Sequence, residues 1–328
     1  MKVLFIGGTG NISTAVSRLA IEQGVDLYLL NRGTGSPLPG ASHIQADIND
    51  PKQIESALKR HQWDVVVNWI AFTQSEVERD IVLFRNCAKQ YIFISSASAY
   101  QKPPTSYIIT EETPLENPFW QYSRDKIACE KRLMQEYSEN GFPATIVRPS
   151  HTYDTVIPVV YGGWKEYTII ERLKTGRKII IHGDGTSLWT LTHSDDFAVG
   201  FVGLLGRDQA IGEAYHITSD EVLTWNQIYQ SVANAAGCEM NPVRIASDFI
   251  IKQAPDDLGK LWGDKSECAV FDNTKIKNLV PEFDAKIPFR EGIKRTLNWF
   301  EANPDRQLVM ESTHQLMDTI IDRYEALG

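Results

Sequence analysis

The apolar run Val3-Leu4-Phe5-Ile6 passes directly into Gly7-Gly8-Thr9-Gly10-Asn11-Ile12-Ser13, and an amphipathic stretch follows over residues 14–23. A buried strand, a glycine turn and a helix in this order constrain the fold more than any other segment. Gly7 permits a tight turn, and Gly10 lets the backbone approach a ligand closely. The helix starting near Asn11 then aims free N–H groups and its positive dipole end at an anion. Ser13 stands where a third glycine would ease helix–strand packing, and a side chain this small is tolerated there. The pattern is that of a turn that cradles a dinucleotide pyrophosphate.

The next 130 residues repeat the alternation. Apolar runs predict strands over residues 3–6, 26–30, 42–45, 65–69, 91–95 and 145–147. Amphipathic stretches predict helices over 14–23, 51–61, 77–89 and 122–140. Strand–helix alternation of this kind predicts an α/β fold, a doubly wound parallel sheet covered on both faces with right-handed crossovers. After Pro149 the pattern changes. A loop is predicted over 157–163, a helix over 164–175, strands over 178–182, 188–192 and 214–218, and helices over 194–205, 225–236 and 289–302. Gly183-Asp184-Gly185 is a turn signal. The tail, 305–327, places Val309, Leu316, Ile320 and Tyr324 at helical spacing. It is expected to dock on the body or to take part in a homodimer.

A chain of 328 residues with 42% apolar content can bury a large core and exceeds one typical domain. The net charge of −9 disfavours nucleic acid or an anionic membrane as the main partner. Cys87, Cys129, Cys238 and Cys268 have neither metal-ligand nor disulfide-framework spacing, and no metal is expected. No apolar run approaches the roughly 18–20 residues of a membrane span. The N-terminus reads as a strand and not as a signal segment. A cytoplasmic protein acting on a small molecule is the expectation.

Two further motifs carry chemistry. About 20 residues past the glycines, where an acid would hold an adenosine ribose, stand Asn31 and Arg32. A neutral residue removes repulsion against a 2′-phosphate and a guanidinium can pair with it, so NADP is favoured over NAD. Asp47, after the third strand, either accepts from the adenine amino group or is an acid at a helix start before Pro51. Tyr122 and Lys126 lie four apart, hence on one helix face. A phenol has a pKa of about 10, and a neighbouring ammonium is expected to lower it toward neutrality. That would make Tyr122 a general base for a substrate hydroxyl, or an acid in reverse. Lys126 can also bond a nicotinamide ribose. Ser96, at the carboxyl end of the fifth strand, can hold the substrate oxygen against Tyr122.

Together these residues resemble the extended branch of the short-chain dehydrogenase/reductase superfamily, the NAD(P)-dependent epimerase/dehydratase family. The resemblance covers at least residues 1–300. It rests on Gly7-Gly8-Thr9-Gly10, Asp47, the turn from Ser95 to Tyr100, Tyr122/Lys126, Arg148-Pro149, and Gly183-Asp184-Gly185 followed by His193-Ser194-Asp195-Asp196. It implies a Rossmann domain (1–155 plus about 186–222), a smaller C-terminal α/β substrate domain (about 156–185 plus 223–304) and a helical extension (305–328). It implies Ser96, Tyr122 and Lys126 as the catalytic triad. Ser96 is preferred to Ser95 because it lies four residues before Tyr100, as the family's hydroxyl residue lies before its tyrosine. Thr9, Asn11, Ile12, Ile48, Ile70 and Ala71 join Gly7, Gly10, Asn31, Arg32, Asp47 and Lys126 as implied cofactor contacts.

The departures are as informative. Family dehydratases follow the hydroxyl residue with Asp-Glu, and here Ala97-Ser98 follows, which disfavours elimination. Many nucleotide-sugar members carry an arginine after the Gly-Asp-Gly turn, and here that place is Trp189, which suits an apolar or unphosphorylated ring. The segment Asn68-Trp69-Ile70-Ala71-Phe72 is bulkier than is usual. The chain thus resembles an atypical subgroup, some of whose relatives are described as RNA-binding. Ser98, His151, Tyr153, Trp164 and Trp189 are the candidate substrate contacts. His151 and Tyr153 could equally belong to a packed loop, and Trp164 to the core. His193 is expected to satisfy a backbone group, Asp195 to cap a helix, and Glu130 and Lys131 to lie on a solvated face. The expected function is that of an NAD(P)-dependent epimerase or oxidoreductase acting on a hydroxyl or keto group of a sugar-like substrate. The alternatives are an NADP(H)-dependent carbonyl reductase on a non-sugar substrate, or a non-catalytic NAD(P)-sensing or RNA-associated module.

Overall fold

A computed structural model describes residues 1–33, 37–59 and 61–327. Arg60, inside the helix predicted over 51–61, lies outside the described residues. The chain opens with strand β1 (Lys2–Ile6), helix α1 (Ser13–Glu22), β2 (Asp26–Asn31), β3 (Ser42–Gln45), α2 (Pro51–Leu58), β4 (Trp63–Asn68), α3 (Gln74–Phe84), β5 (Ala88–Ile94) and α4 (Gln121–Asn140). Two later strands, Ala144–Pro149 and Ala214–Ile217, complete a seven-stranded sheet in the order Ala214–Ile217, Ala144–Pro149, β5, β4, β1, β2, β3. Every pairing in it is parallel.

The strand sequences explain this burial. Val3, Leu4, Phe5 and Ile6 are all fully buried because side chains alternate between two covered faces. Val3 and Phe5 pack with Val16 of α1 and with Phe197 and Phe201 of the helix Ser194–Leu204. Leu4 and Ile6 pack with Val77 and Phe84 of α3 and with Cys129 and Leu133 of α4. From β1 the chain moves outward through β2 and β3, then returns to place β4 on the other side of β1. The crevice at the carboxyl ends of β1 and β4 is therefore the switch point, where ligands of open parallel sheets bind. The glycine turn leaves β1 at that edge, and Ile70-Ala71-Phe72 leaves β4 there.

A second core lies beyond the sheet. Ile179, Ile180 and Ile181 pack with Trp225, Ile228 and Ile245, and the strand Ile179–His182 pairs in parallel with Pro242–Ile245. The tail helix, Glu311–Glu325, docks on this body of its own chain. It buries Met317, Ile320 and Ile321, and Arg172 donates to Asp318 at 2.6 Å.

Several predicted boundaries move. The helix predicted over 164–175 is shorter, Thr168–Lys174, because Trp164 takes a left-handed backbone with φ 60°. The strand predicted over 188–192 is two short ones, Leu188–Trp189 against Leu223–Thr224, and Leu191–His193 beside His151–Tyr153. The helix predicted over 77–89 starts earlier, at Gln74, and ends at Phe84. Thr73 precedes it, and the Phe72 and Thr73 amides both donate to Glu76 Oε2.

One ion pair ties sheet and helix. Glu130, predicted to lie on a solvated face of α4, is buried, whereas its neighbour Lys131 is exposed. Arg148 Nε and Nη2 donate to the two Glu130 oxygens at 3.0 and 2.6 Å, and the Ser95 hydroxyl donates to Oε1. Removing one partner strands a buried charge. Arg148→Met is expected to cost about 3–5 kcal/mol in urea unfolding, and Arg148→Met/Glu130→Leu to recover most of the loss. An equal loss in the double variant would contradict this account.

Candidate active site

The glycine turn is built by local constraints. Gly7 and Gly8 both have positive φ, 93° and 97°, so the conformational demand falls on this pair and not on Gly10. A Cβ on Gly8 would stand 2.7 Å from Leu29 Cδ2. Ser13 Oγ accepts from the Gly10 amide at 2.8 Å, and Ser17 Oγ donates to the Gly8 carbonyl at 2.8 Å. Ile12 is the residue that enters α1, and its side chain cannot cap the first turn. Asn11 donates through Nδ2 to the Thr152 carbonyl at 3.0 Å and leaves Oδ1 buried without a partner. An uncapped helix start and two left-handed glycines fit the pyrophosphate end of a dinucleotide.

Around this turn the structure gathers most of the sequence-predicted cofactor residues. Thr9 is exposed on it, Ile70 is exposed beside Gly7, and Ala71 is buried. At the end of β2, Asn31 Oδ1 accepts from the Gly33 amide at 3.0 Å and Arg32 is exposed. Asp47 Oδ1 accepts from the Asn49 amide at 2.9 Å, while Asp50 is the residue that caps α2, so Asp47 is not the cap. Ile48 is buried in the apolar layer below.

A cavity of about 610 Å³ runs from Gly10–Ser13 past Ser96 and Tyr122 to Trp189. Ser95 and Ser96 divide their roles. Ser95 is engaged by Glu130, whereas Ser96 lines the cavity together with Tyr122 and lies 2.9 Å from Ser98 Oγ. Ser123, on α4, donates to Ser98 Oγ at 2.8 Å. Three hydroxyls thus form a hydrogen-bonded chain whose Ser96 end shares the cavity with Tyr122.

Lys126 corrects an expectation. Its Nζ donates to the carbonyls of Ala71 and Ile94 at 2.7 and 2.8 Å, and lies 4.3 Å from the Phe72 ring centre. Burial pushes its pKa down to about 8. Tyr122 is not lowered toward neutrality. Burial pushes its phenol up, the Ser96 hydrogen bond pulls the other way, and the Asp264 charge adds to the rise. With its ammonium turned to two carbonyls, Lys126 is a buried cation that joins the ends of β4 and β5, and Tyr122 is a protonated phenol.

The substrate candidates separate. Ser98, His151, Trp164 and Trp189 line the cavity, and Tyr153 does not. Tyr153 is fully buried against His193 and Phe289, and its hydroxyl has no partner. Trp164 is 41% exposed and its ring lies 5.3 Å from that of His151, so it walls the cavity and is not core. Burial, reinforced by the Lys265 charge, holds the His151 imidazole well below its usual pKa, and its Nδ1 is unpartnered. His193 Nδ1 accepts from the Asp195 amide at 3.2 Å, as expected of it, and is itself the cap of Ser194–Leu204 in place of Asp195. Sequence reasoning missed Lys102, Lys260, Asp264 and Lys265, all in the cavity wall. Nothing in their local pattern distinguishes them from surface charges.

A model of the NAD dependent epimerase/dehydratase family matches residues 3–218. The chain belongs to that family. That family is part of the short-chain dehydrogenase/reductase superfamily. The chloroplast stem-loop binding protein of 41 kDa b from Arabidopsis thaliana is 28% identical over 251 residues. That match covers 72% of this chain and 63% of the relative, less than two thirds of its length. Human dTDP-D-glucose 4,6-dehydratase is 22% identical, covering 92% of this chain and 90% of the relative. Among solved structures, the epimerase Mth375 of Methanothermobacter thermautotrophicus superposes with a TM-score of 0.75 at 16% identity, over 93% of each chain. The dTDP-glucose 4,6-dehydratase of Bacillus anthracis, in complex with NAD, gives 0.72 at 18% identity over 93% of this chain and 98% of that one. These likenesses establish the fold that the family's sequence motifs imply. Among the described residues no helix is long and apolar enough to cross a membrane, and no cluster of three potential metal ligands occurs.

The lowered pKa of Lys126 has a measurable consequence. Unfolded, this lysine titrates near about 10.4, and folded near about 8. Between these values the unfolded chain binds more protons, so this group's contribution to stability rises with pH. Its penalty is full below about pH 8 and is relieved as pH climbs to about 10. The stability of the native protein relative to Lys126→Met is therefore expected to improve by about 2–3 kcal/mol between about pH 7 and about pH 10. A pH-independent difference would show that Lys126 is not a buried cation.

Proposed function

We propose that the protein is an NAD(P)-dependent epimerase or oxidoreductase that works on a hydroxyl or keto group of a sugar-like small molecule, with Ser96, Tyr122 and Lys126 as its catalytic residues. The observation that carries this reading is one continuous cavity joining the glycine turn to the Ser96–Tyr122 pair. A bound nicotinamide would supply the hydride acceptor or donor. Gly7, Thr9, Gly10, Asn11 and Ile12 would hold the pyrophosphate end, with Asn31 and Arg32 at the adenosine ribose, Asp47 and Ile48 at the adenine, and Ile70, Ala71 and Lys126 along the remainder. Arg32, exposed at the end of β2, supports NADP over NAD.

The chain's own residues then handle the proton. Tyr122 donates its phenolic proton to a developing alkoxide, and Ser96 donates a hydrogen bond to the same oxygen. Lys126, charged below about pH 8, places positive potential beside the phenolate that forms. In the reverse direction the phenolate takes the proton of a substrate hydroxyl. A phenol raised above its ordinary range rests in its protonated form, the form that carbonyl reduction starts from, which supports net reduction as a second reading of the same site. Ala97-Ser98 supplies no acid–base pair, so elimination is not part of the proposal. His151, Trp164 and Trp189 bound the substrate end. The division into a dinucleotide unit (1–155 plus about 186–222), a substrate unit (about 156–185 plus 223–304) and an extension (305–328) is supported by the return of Ala214–Ile217 to the central sheet and by the separate strand pair Ile179–His182 and Pro242–Ile245.

The test is turnover by Tyr122→Phe. With NADP(H) or NAD(H) and a panel of free and nucleotide-linked sugars and simple ketones, reduced-nicotinamide absorbance is expected to fall by roughly 10²–10⁴-fold in rate, with cofactor affinity unchanged. Undiminished turnover would overturn the catalytic reading. A biological activity untouched by Tyr122→Phe would favour the non-catalytic module instead.

A further inference from the structure

The chain carries a net charge of −9, yet the charged residues lining its cavity are three lysines, Lys102, Lys260 and Lys265, and one acid, Asp264. Two of the lysines are neutralised nearby. Lys260 pairs with Asp257 at 2.6 Å, and Lys265 with Asp264 at 2.6 Å. Lys102 is 4% exposed, and among the described residues no carboxylate comes within ion-pair distance of it. Its Nζ donates to the backbone carbonyl of Asp264 at 3.1 Å. The Lys102 and Lys265 ammoniums therefore meet at one residue, through its carbonyl and its carboxylate. Both lie about one side-chain length from the same indole, 6.0 and 5.9 Å from the ring of Trp189. The Trp189 Nε1–H is buried and has no acceptor.

The Lys102 ammonium and the Trp189 indole are donors that this corner leaves open. An ammonium has three and an indole one, and neither can accept. Leaving an ammonium buried and unpaired costs several kcal/mol, and an anion at hydrogen-bonding distance removes that cost. Asp264 is paired with Lys265, and Glu267 acts on Lys102 only from beyond ion-pair distance, so a single negative charge on a ligand would give Lys102 the direct partner it lacks. Lysine ammoniums are point charges without the fork of a guanidinium, so they set no bidentate geometry.

We propose that Lys102, Lys265 and the Trp189 indole N–H form an anion subsite that receives a single carboxylate carried by the substrate. The proposal rests on the reading of the cavity as the substrate pocket. The ring or chain bearing the carboxylate lies against Trp164 and His151, with its reacting hydroxyl or keto carbon toward Tyr122. Trp189, which stands where many relatives have an arginine, thus does not make the pocket neutral. The charge comes instead from two other segments, one following β5 and one in the turn Leu261–Lys265. Burial holds the Lys102 pKa below its ordinary value, against the opposing Asp264 and Glu267 charges and with the Lys265 charge adding to the fall, so anion binding is expected to weaken at alkaline pH.

Calorimetry with model ligands tests this without turnover. The protein is first saturated with NADP⁺ or NAD⁺, which occupies the glycine turn, and then titrated with benzoate, phenyl phosphate and neutral benzyl alcohol. Benzoate is expected to bind roughly tenfold more tightly than benzyl alcohol. Lys102→Met and Lys265→Met should each abolish that preference without weakening benzyl alcohol, and Tyr122→Phe should preserve it. Using both lysine variants keeps the test valid if one fails to fold. Equal affinity for benzoate and benzyl alcohol, or a preference that survives both lysine changes, would overturn the subsite. Preference for phenyl phosphate over benzoate would overturn its assignment to a carboxylate. Because the Tyr122→Phe turnover result bears on catalysis alone, the two readings fail separately.

Discussion

The Glu130 carboxylate is buried on α4 and bonded from two strands at once. Ser95 reaches it from the end of β5, and Arg148 from the end of Ala144–Pro149. A fully desolvated charge tolerates little displacement, because any lost partner costs several kcal/mol. The same helix carries Tyr122 and Lys126 two and one turns upstream, and the next residue after Ser95 is Ser96. Holding Glu130 therefore sets the helix register that places Tyr122 beside Ser96. Arg148 also leads directly into Pro149, Ser150 and His151, where the chain enters the cavity wall. One buried pair thus aligns Ser96 and Tyr122 with the His151 end of the cavity.

Lys126 is the second fixed charge. Its bonds to the carbonyls of Ala71 and Ile94 join the carboxyl ends of β4 and β5, next to the crevice between β1 and β4 where strand order reverses. In the proposed reaction an ammonium placed there would stabilise the phenolate that forms once Tyr122 has given its proton to substrate. In the resting protein Tyr122 stays protonated. Ser96, Ser98 and Ser123 form an uncharged run of hydrogen-bonded hydroxyls at this end of the cavity.

The parts of this arrangement differ in how far the amino-acid sequence reveals them. The strand, glycine turn and helix at residues 2–22 are legible because apolar runs, glycines and helical periodicity are local signals. So is the Tyr122/Lys126 spacing, and the family motifs made Ser96 the choice over Ser95. Glu130 was misread as solvated because a lone acid on a helix usually is, and its partner lies 18 residues away on a strand. The left-handed backbone of Trp164 gives no sequence signal, since only its loop neighbours impose it. Tyr153 follows the crossing segment as a pocket residue would, yet strand pairing with Leu191–His193 turns it into the core. Lys102 and Asp264 meet across 162 residues, a contact that only the folded chain displays.

The central claim is that a dinucleotide seated on the Gly7–Ser13 turn reaches the Ser96–Tyr122 pair through the cavity they share. A crystal structure with NADP⁺ bound tests it most directly. The account predicts the pyrophosphate over Gly10, Asn11 and Ile12, the 2′-phosphate at Arg32, and the nicotinamide ring in contact with Tyr122. A dinucleotide bound with its nicotinamide away from Tyr122, or no binding at this turn, would contradict it.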